Sequence, residues 1–195
     1  MSSAPHSDDR SPAATASFHG PLDDAAFAAV FRECAKDVHG YAVSLLGDRA
    51  TAEDVTALAF ERLYRSRSRL DRGRGTPRAW LFAIARNAAL DELRRRRRQP
   101  QFDLDEGALR GEDARGDVRS EELEDAERRA AVRDALAALP PREREVVLLK
   151  FHGQLSNGEL ARALGISESN AGTRLHRALT RLRASGLESE RLEVA

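Results

Sequence analysis

Apolar residues after residue 20 recur at alternating steps of four and three, a period that leaves the chain little to fold into except helices. Phe27, Phe31, Cys34, Val38, Tyr41 and Leu45 fall on one face of such a helix. The stretch LGDRATAEDVTALAFERLY breaks at Gly47 and restarts, with Thr51 placed as an N-cap and Asp54 three residues on. RSRSRLDRGRGTP reads as a Gly- and Arg-rich loop, and Thr76-Pro77 predicts the next helix start, a capping side chain followed by a proline whose missing N–H costs nothing there.

That helix is predicted from Pro77 to about Arg97 and contains AWLFAIARNAALDELRRRRR. Its uninterrupted apolar run is only Ala79 to Ala85, far short of the roughly 20 residues that a membrane span needs. Steps of 100° put Trp80, Leu81, Ile84 and Ala88 on a buried stripe, and Ala83, Arg86, Asn87, Leu90, Arg94 and Arg97 on another side. A bare run of five arginines would also suit a localisation signal or a solubilising end. Continuing a helix rooted in a core, it favours a rigid phosphate-binding ridge.

Charge is segregated although the formal net charge is zero. Arg62 to Arg98 carries 13 Arg against 3 acids, a net of +10, and Asp103 to Arg128 carries 11 acids against 4 Arg, a net of −7. Leu139 to Ala184 has 8 Lys or Arg against 4 Glu, a net of +4. Any one of these stretches fits a solvated helix face. Two basic blocks around an acidic connector suggest two contacts with a polyanion. The lone Cys34 excludes a disulfide framework and a cysteine-rich zinc site, and reads as an apolar filler rather than a redox sensor. MSSAPHSDDRSPAATASFHG has no signal-peptide pattern and is expected to be disordered, which predicts a cytoplasmic protein.

QFDLDEGALRGEDARGDVRSEELEDAE lacks periodicity in its first half and reads as a linker merging into a helix near Ser120. Beyond it, Leu136, Leu139, Val146, Val147 and Leu149 are candidate core, with Pro140-Pro141 between two helices. In LSNGELARALGISESNAGTRLHRALTRLR, Ser156 and Glu159 have capping-box spacing, Gly165 makes a turn and Ser167 caps a second helix. Leu160, Ala161, Leu164, Ile166, Ala171, Leu175, Ala178, Leu179 and Leu182 face inward. This pattern is a helix-turn-helix, whose second helix enters the major groove by its N-terminal end. Ser169, Asn170, Thr173, Arg174, His176, Arg177 and Arg181 point outward, and Asn can read adenine while Arg reads guanine or holds phosphate. A helix hairpin binding only protein would share the pattern.

The fold class expected is all-α: two small helical domains joined by a flexible acidic linker, the second containing the helix-turn-helix. The expected boundaries are a disordered segment at 1–20, a first domain at 21–100, the linker at 101–128, a second domain at 129–186 and a tail at 187–195. Trp80 is expected in the core, and His152 and His176 at the surface or on phosphates. The chain shows no metal-carboxylate cluster, no His/Asp constellation and no glycine-rich phosphate loop, so neither catalysis nor a metal or cofactor is expected.

AEDVTALAFERLY, AWLFAIARNAALDELRRRRR and LPPREREVVLLKFHGQLSNGELARALGISESNAGTRLHRALTRLR, in that order, resemble bacterial sigma-70 family factors of the extracytoplasmic-function, group 4, type. The resemblance covers about residues 23–100 and 130–184. It implies that the first domain, like sigma region 2, binds core RNA polymerase and the promoter −10 element, and that the second, like region 4, binds the −35 element. It places Glu53, Asp54, Phe60 and Leu63 on the helix that meets the polymerase. Arg86, Asn87, Asp91, Arg94, Arg95, Arg96, Arg97 and Arg98 would face the −10 DNA, with a loop near Arg69–Thr76 or the polar groups near Asn87 supplying sequence preference. Ser169, Asn170, Thr173, Arg174 and Arg177 would face the −35 DNA. The acidic linker would imitate RNA near the polymerase active site. An anti-sigma factor is a further implied partner, and no direct membrane insertion is. The chain departs from the family pattern at Ala57, Leu58, Asn157, Gly158 and Gly172. A stand-alone helix-turn-helix regulator is the alternative, and leaves AEDVTALAF and AWLFAIARN unexplained.

Overall fold

In a computed structural model the described residues are 22–69, 75–98 and 120–185, without the side chains of Arg69 and of residues 120–127. They form seven α-helices and one 3-10 turn, and no strand. The N-terminal segment, much of the acidic linker and the loop at 70–74 lie outside them.

Helix α1 (Asp24–Leu46) starts where the Asp23 carboxylate accepts from the Ala26 N–H at 2.7 Å, and stops at Gly47, whose φ of 71° any side chain would strain. That one-residue reversal lets α2 (Arg49–Ser66) begin at once. Its cap is Asp48, not the expected Thr51. The Asp48 carboxylate accepts from the Thr51 backbone N–H at 3.0 Å and from the Thr51 hydroxyl, which makes Thr51 the third residue of the helix. Those hydrogen bonds, joined by the nearby Arg96 charge, hold the Asp48 carboxyl below its usual range. A 3-10 turn (Arg67–Arg69) follows, and α3 (Pro77–Arg98) starts at the predicted place, with the Thr76 hydroxyl accepting from Ala79 N–H at 3.2 Å.

Helices α1, α2 and α3 pack together as the first domain. Near the tip of their bundle Ala42, Ala52, Ala88 and Ala89, with Leu46 and Val55, form a core of small residues that brings the three backbones close. The buried arc of α3 is wider than the predicted stripe. Leu81, Phe82, Ala85, Ala88 and Ala89 are buried, whereas Trp80 and Ile84 are half-buried at its edge. The reason is a third neighbour: α3 packs not only on α1 and α2 but also on a helix of the second domain. On α1, Cys34, Val38 and Tyr41 are buried as expected, while Phe31 is 48% exposed and stacks obliquely on Phe60 with centroids 4.7 Å apart.

The second domain comprises α4 (Ser120–Ala138), α5 (Pro141–Phe151), α6 (Asn157–Leu164) and α7 (Glu168–Ala184). Val146, Val147, Leu148 and Leu149 are buried on all sides of α5, so this helix is the domain's hydrophobic axis. The capping box at α6 is complete: Glu159 N–H donates to Ser156 Oγ at 3.3 Å, and Ser156 N–H donates to Glu159 Oε2 at 2.9 Å. Gly165, at φ 66°, closes α6, and Ser167 Oγ accepts from Asn170 N–H to open α7. Leu160, Ala161, Ala171, Ala178 and Leu182 are buried, with Leu164, Ile166, Leu175 and Leu179 packed against them, as the sequence pattern requires.

Apolar burial runs continuously from one domain to the other, through Phe82 and the turn after α5. A Cβ at Gly153 in that turn would lie 2.4 Å from the Leu149 carbonyl oxygen and 3.3 Å from Phe82 Cδ1. A Cβ at Gly165 would meet nothing within 4 Å. Gly153→Ala is therefore expected to cost roughly 2–3 kcal/mol through overpacking, and Gly165→Ala about 1 kcal/mol through backbone conformation alone. Thermal denaturation checks the order, and an equal cost for the two would contradict this account of the turn.

Candidate nucleic-acid interface

Two cationic surfaces emerge from these elements, and they are built differently. On α7 the N-terminal turn stands clear of the core because Ala171, Ala178 and Leu182 carry the buried face. Ser169, Asn170, Thr173 and Arg177 are exposed, and Arg174 is half-buried. Arg174 Nε–H donates to Asn170 Oδ1 at 3.0 Å, one helical turn away, and Thr173 Oγ donates back to the Ser169 carbonyl at 2.9 Å. Asn170 and Arg174 thus form a unit: the bond orients the amide and leaves the terminal nitrogens of the guanidinium for a base edge or a phosphate.

The arginine run at the end of α3 does not act as five equivalent charges. Arg94 pairs with Asp91 at 2.7 Å on the exposed side, and the exposed Arg95 pairs at 2.7 Å with Glu92, whose own side chain is largely covered. Arg96 turns inward. Its guanidinium donates to Glu92, to Asp48 at 3.1 Å, to Thr51 Oγ1 at 2.5 Å and to the Leu46 carbonyl at 3.3 Å, so it ties α3 to the α1–α2 turn. Hydrogen bonds from Arg95 and Arg96 outweigh the effect of burial and hold the Glu92 carboxyl low. Arg97 and Arg98 are exposed at the helix C-terminus, where the backbone dipole favours cations. Further back, Asn87 is exposed, whereas Arg86 is only 18% exposed and donates from Nε to Glu145 Oε1 at 2.8 Å.

Glu53 and Asp54 lie on the exposed face of α2, where a partner can reach them. Phe60 and Leu63 are buried and join α2 to α1, so they present no surface of their own. The aromatic surface on that side is made by Phe31 and Tyr64, the large apolar side chains most exposed among the described residues. Tyr64 sits under the Arg67 guanidinium, 3.6 Å from its centroid, and donates to Asp24 at 3.3 Å.

Sequence reasoning missed Arg78. This residue is 5% exposed at the start of α3. It donates from Nε to the Gly153 carbonyl and from Nη2 to the His152 carbonyl, each at 2.7 Å, and pairs with Asp37. A cation in the first turn of a helix opposes the dipole, and that was the available signal. His152 also departs from expectation, because it is half-buried against α1, with Nε2 3.3 Å from Ser44 Oγ. Burial pushes its imidazole below the usual value. Burial pushes the Cys34 thiol up to about 11, so it stays protonated at neutral pH.

No group of three His, Cys, Asp or Glu among the described residues is placed to hold a metal ion, and no helix among them is long and apolar enough to cross a membrane. A helix-turn-helix with an open recognition face, preceded by three packed helices that end in an arginine-rich tip, is an arrangement suited to binding DNA. The family model described as Sigma-70 region 2 matches residues 30–99, and that described as Sigma-70, region 4 matches residues 129–182. The chain is 32% identical over 155 residues to the ECF RNA polymerase sigma factor SigL of Mycobacterium tuberculosis strain H37Rv, covering 80% of this chain and 85% of the relative. It is 29% identical over 161 residues to SigK of the same organism and strain, covering 83% and 86%. A structure of CnrH in complex with the cytosolic domain of CnrY superposes with a TM-score of 0.59 at 25% identity, covering 83% of this chain and 88% of that one. The sigma factor RpoE of Bartonella quintana, solved with the anti-sigma factor NepR, shares the fold with a TM-score of 0.60 at 20% identity, covering 82% and 95%.

The chain belongs to the ECF RNA polymerase sigma factors. It binds core RNA polymerase and directs promoter-specific initiation through −10 and −35 elements, and sigma factors as a class are not enzymes.

The Asn170–Arg174 hydrogen bond generates a prediction. Asn170→Ala and Arg174→Ala, each measured in holoenzyme, should weaken preference for the −35 element, and the double variant should lose less than the two single losses combined. A good side-chain–base pair discriminates by about 1–3 kcal/mol. Additive losses in promoter-binding assays on wild-type and −35-mutant DNA would show that the two side chains act separately.

Proposed function

We propose that the two cationic surfaces divide the promoter between them. The domain proposed at 21–100 places Asn87, Asp91, Arg94, Arg95, Arg97 and Arg98 toward the −10 DNA, with Arg86 joining when it is released from Glu145. The domain proposed at 129–186 places Ser169, Asn170, Thr173, Arg174 and Arg177 in the major groove of the −35 element. Arg96 holds α3 in place and makes no phosphate contact. One observation carries this reading: α3 is fixed in a core at its root while Arg97 and Arg98 stand exposed at its tip.

Core polymerase is proposed to dock on the outer face of α2, through Glu53 and Asp54, with Phe31 and Tyr64 beside them. Phe60 and Leu63 support that face from beneath, since both are buried. The acidic stretch between the domains, with Asp103, Asp105, Glu106, Glu112 and Asp113, is proposed to imitate RNA in the polymerase channel. This chain supplies no chemistry of its own: holding unstacked bases offsets an opening cost of a few kcal/mol and needs no nucleophile, metal or nucleotide. It acts in the cytoplasm and is held by an anti-sigma factor, a reading supported by the similarity to CnrH and RpoE, each solved with a protein partner.

The test is run-off transcription with purified core polymerase on promoters from the same genome. Specific initiation that depends on the added chain is expected, with little tight duplex binding by the chain alone. Nanomolar operator binding without polymerase, and no co-purification with it, would contradict the reading. Within that assay, Arg97→Ala with Arg98→Ala should weaken open-complex formation on all cognate promoters and lower the salt slope by up to about 2, since each lost phosphate contact contributes about 0.9. Arg96→Ala should instead lower the melting temperature and leave the salt slope nearly unchanged. The converse pattern would refute the division among the arginines.

A further inference from the structure

Asn157, Gly158 and Gly172, three positions at which the chain departs from its family's pattern, meet where α6 starts beside α7. Asn157 is the first residue of α6, and its side chain reaches across to α7. A Cβ at Gly172 would lie 3.8 Å from Asn157 Nδ2 and meet no other atom of the neighbouring elements within 4 Å. The reverse contact is also made. Glu168, the first residue of α7, lays its carboxylate beside Gly158, where a Cβ would lie 3.7 Å from Oε2. Each helix thus sends one polar side chain onto a glycine of the other.

Neither backbone nor packing requires these glycines. Both have ordinary helical φ, and the distances just given are normal contacts, so alanine would fit at either position. Glycine is the poorest helix former after proline, because it gives up the most backbone freedom on folding. What it provides at 172 is open space beside the Asn157 amide.

That amide shares the surface of the recognition residues. Gly172 lies one helical turn from Ser169 and one from His176, and both are exposed, as is Asn157 itself. The Asn157 side chain makes no hydrogen bond among the described residues, so its donors and its acceptor are all free. Asn170 differs, since its Oδ1 already accepts from Arg174 Nε–H. An adenine edge engages a carboxamide twice, accepting at N7 and donating from N6. A phosphate takes the donor alone. A wholly unengaged amide therefore fits the base better.

We propose that Asn157 is a specificity-determining residue of the −35 contact: its amide reads an adenine at the border of the segment read by α7, through the gap left at Gly172. This rests on the reading of α7 as the −35 helix. A side chain at 172 larger than alanine would cover the amide and remove that base from the element.

The experiment presents promoter fragments randomised across the −35 element to holoenzyme containing the full chain, and sequences the bound DNA. Asn157→Ala is expected to lose an adenine preference of about fivefold or more at one position, the least that a good bidentate pair discriminates, and to leave the other positions unchanged. Asn157→Asp keeps the size and puts an acid at a helix N-terminus, where it is favourable, so it carries the test if alanine harms the fold. Having only acceptors, it should move the preference at that position from adenine to cytosine, whose N4 donates. Gly172→Leu should abolish the same preference in the parent chain and change nothing further in Asn157→Ala protein. Gly172→Ala should raise the melting temperature, and a lower one would overturn the claim that the glycine is kept for the amide. Uniform weakening of Asn157→Ala on every −35 sequence would place the amide on a phosphate and overturn base reading. So would a Gly172→Leu effect that persists in full without Asn157. Asn170→Ala tests the underlying reading. If it shifts the −35 preference and Asn157→Ala does not, only the role of Asn157 fails; if neither does, the −35 assignment of α7 fails with it.

Discussion

A guanidinium taken out of water must find acceptors for its five N–H groups, because an ion left without partners in a protein interior costs several kcal/mol. Arg78 meets that demand by drawing on both domains: Asp37 and the Cys34 sulfur from α1, and the two carbonyls of His152 and Gly153 from the turn after α5. Much of the local design follows. The turn must aim two successive carbonyls at one point, its backbone passes so close to Leu149 that residue 153 has no room for a side chain, and Gln154 takes a left-handed φ of 51°. Lys150 Nζ then donates to the Leu155 carbonyl at 2.9 Å and closes the turn from its other side.

The same economy governs the arginine-rich end of α3. A helix carrying five consecutive guanidinium groups would repel itself, and the chain supplies Asp91 and Glu92 one turn earlier to offset this. Exposed pairs of this kind are worth little individually. Their value is in deciding which cations remain available. Arg96 is drawn toward Asp48 and the α1–α2 turn, so the outermost charges, Arg97 and Arg98, project from a root that is fixed at several points.

What the sequence made legible was local. The helix-turn-helix could be read because caps and turn are encoded within a few residues: Ser156 with Glu159, Gly165, then Ser167. Thr76-Pro77 announced α3 for the same reason. Thr51 misled by one helical turn because Asp48 and Thr51 both carry capping oxygens, and only the tight reversal at Gly47 decides between them. Phe60 and Leu63 could be placed on the helix of the polymerase contact but not on its inner or outer face, since the partner that buries them, α1, is a non-local choice. Arg78 and Glu145 were invisible for the same reason in stronger form. Their partners lie 75 and 59 residues away, and no pattern along the chain records them.

If one buried cation and the shared apolar core join the halves into a single body, they should melt as a single body. Differential scanning calorimetry of the full chain is then expected to show one transition whose calorimetric and van't Hoff enthalpies agree, and Arg78→Met should split it into two. Two separate transitions in the parent protein, unchanged by that substitution, would contradict the account, because the domains would then be folding without reference to each other.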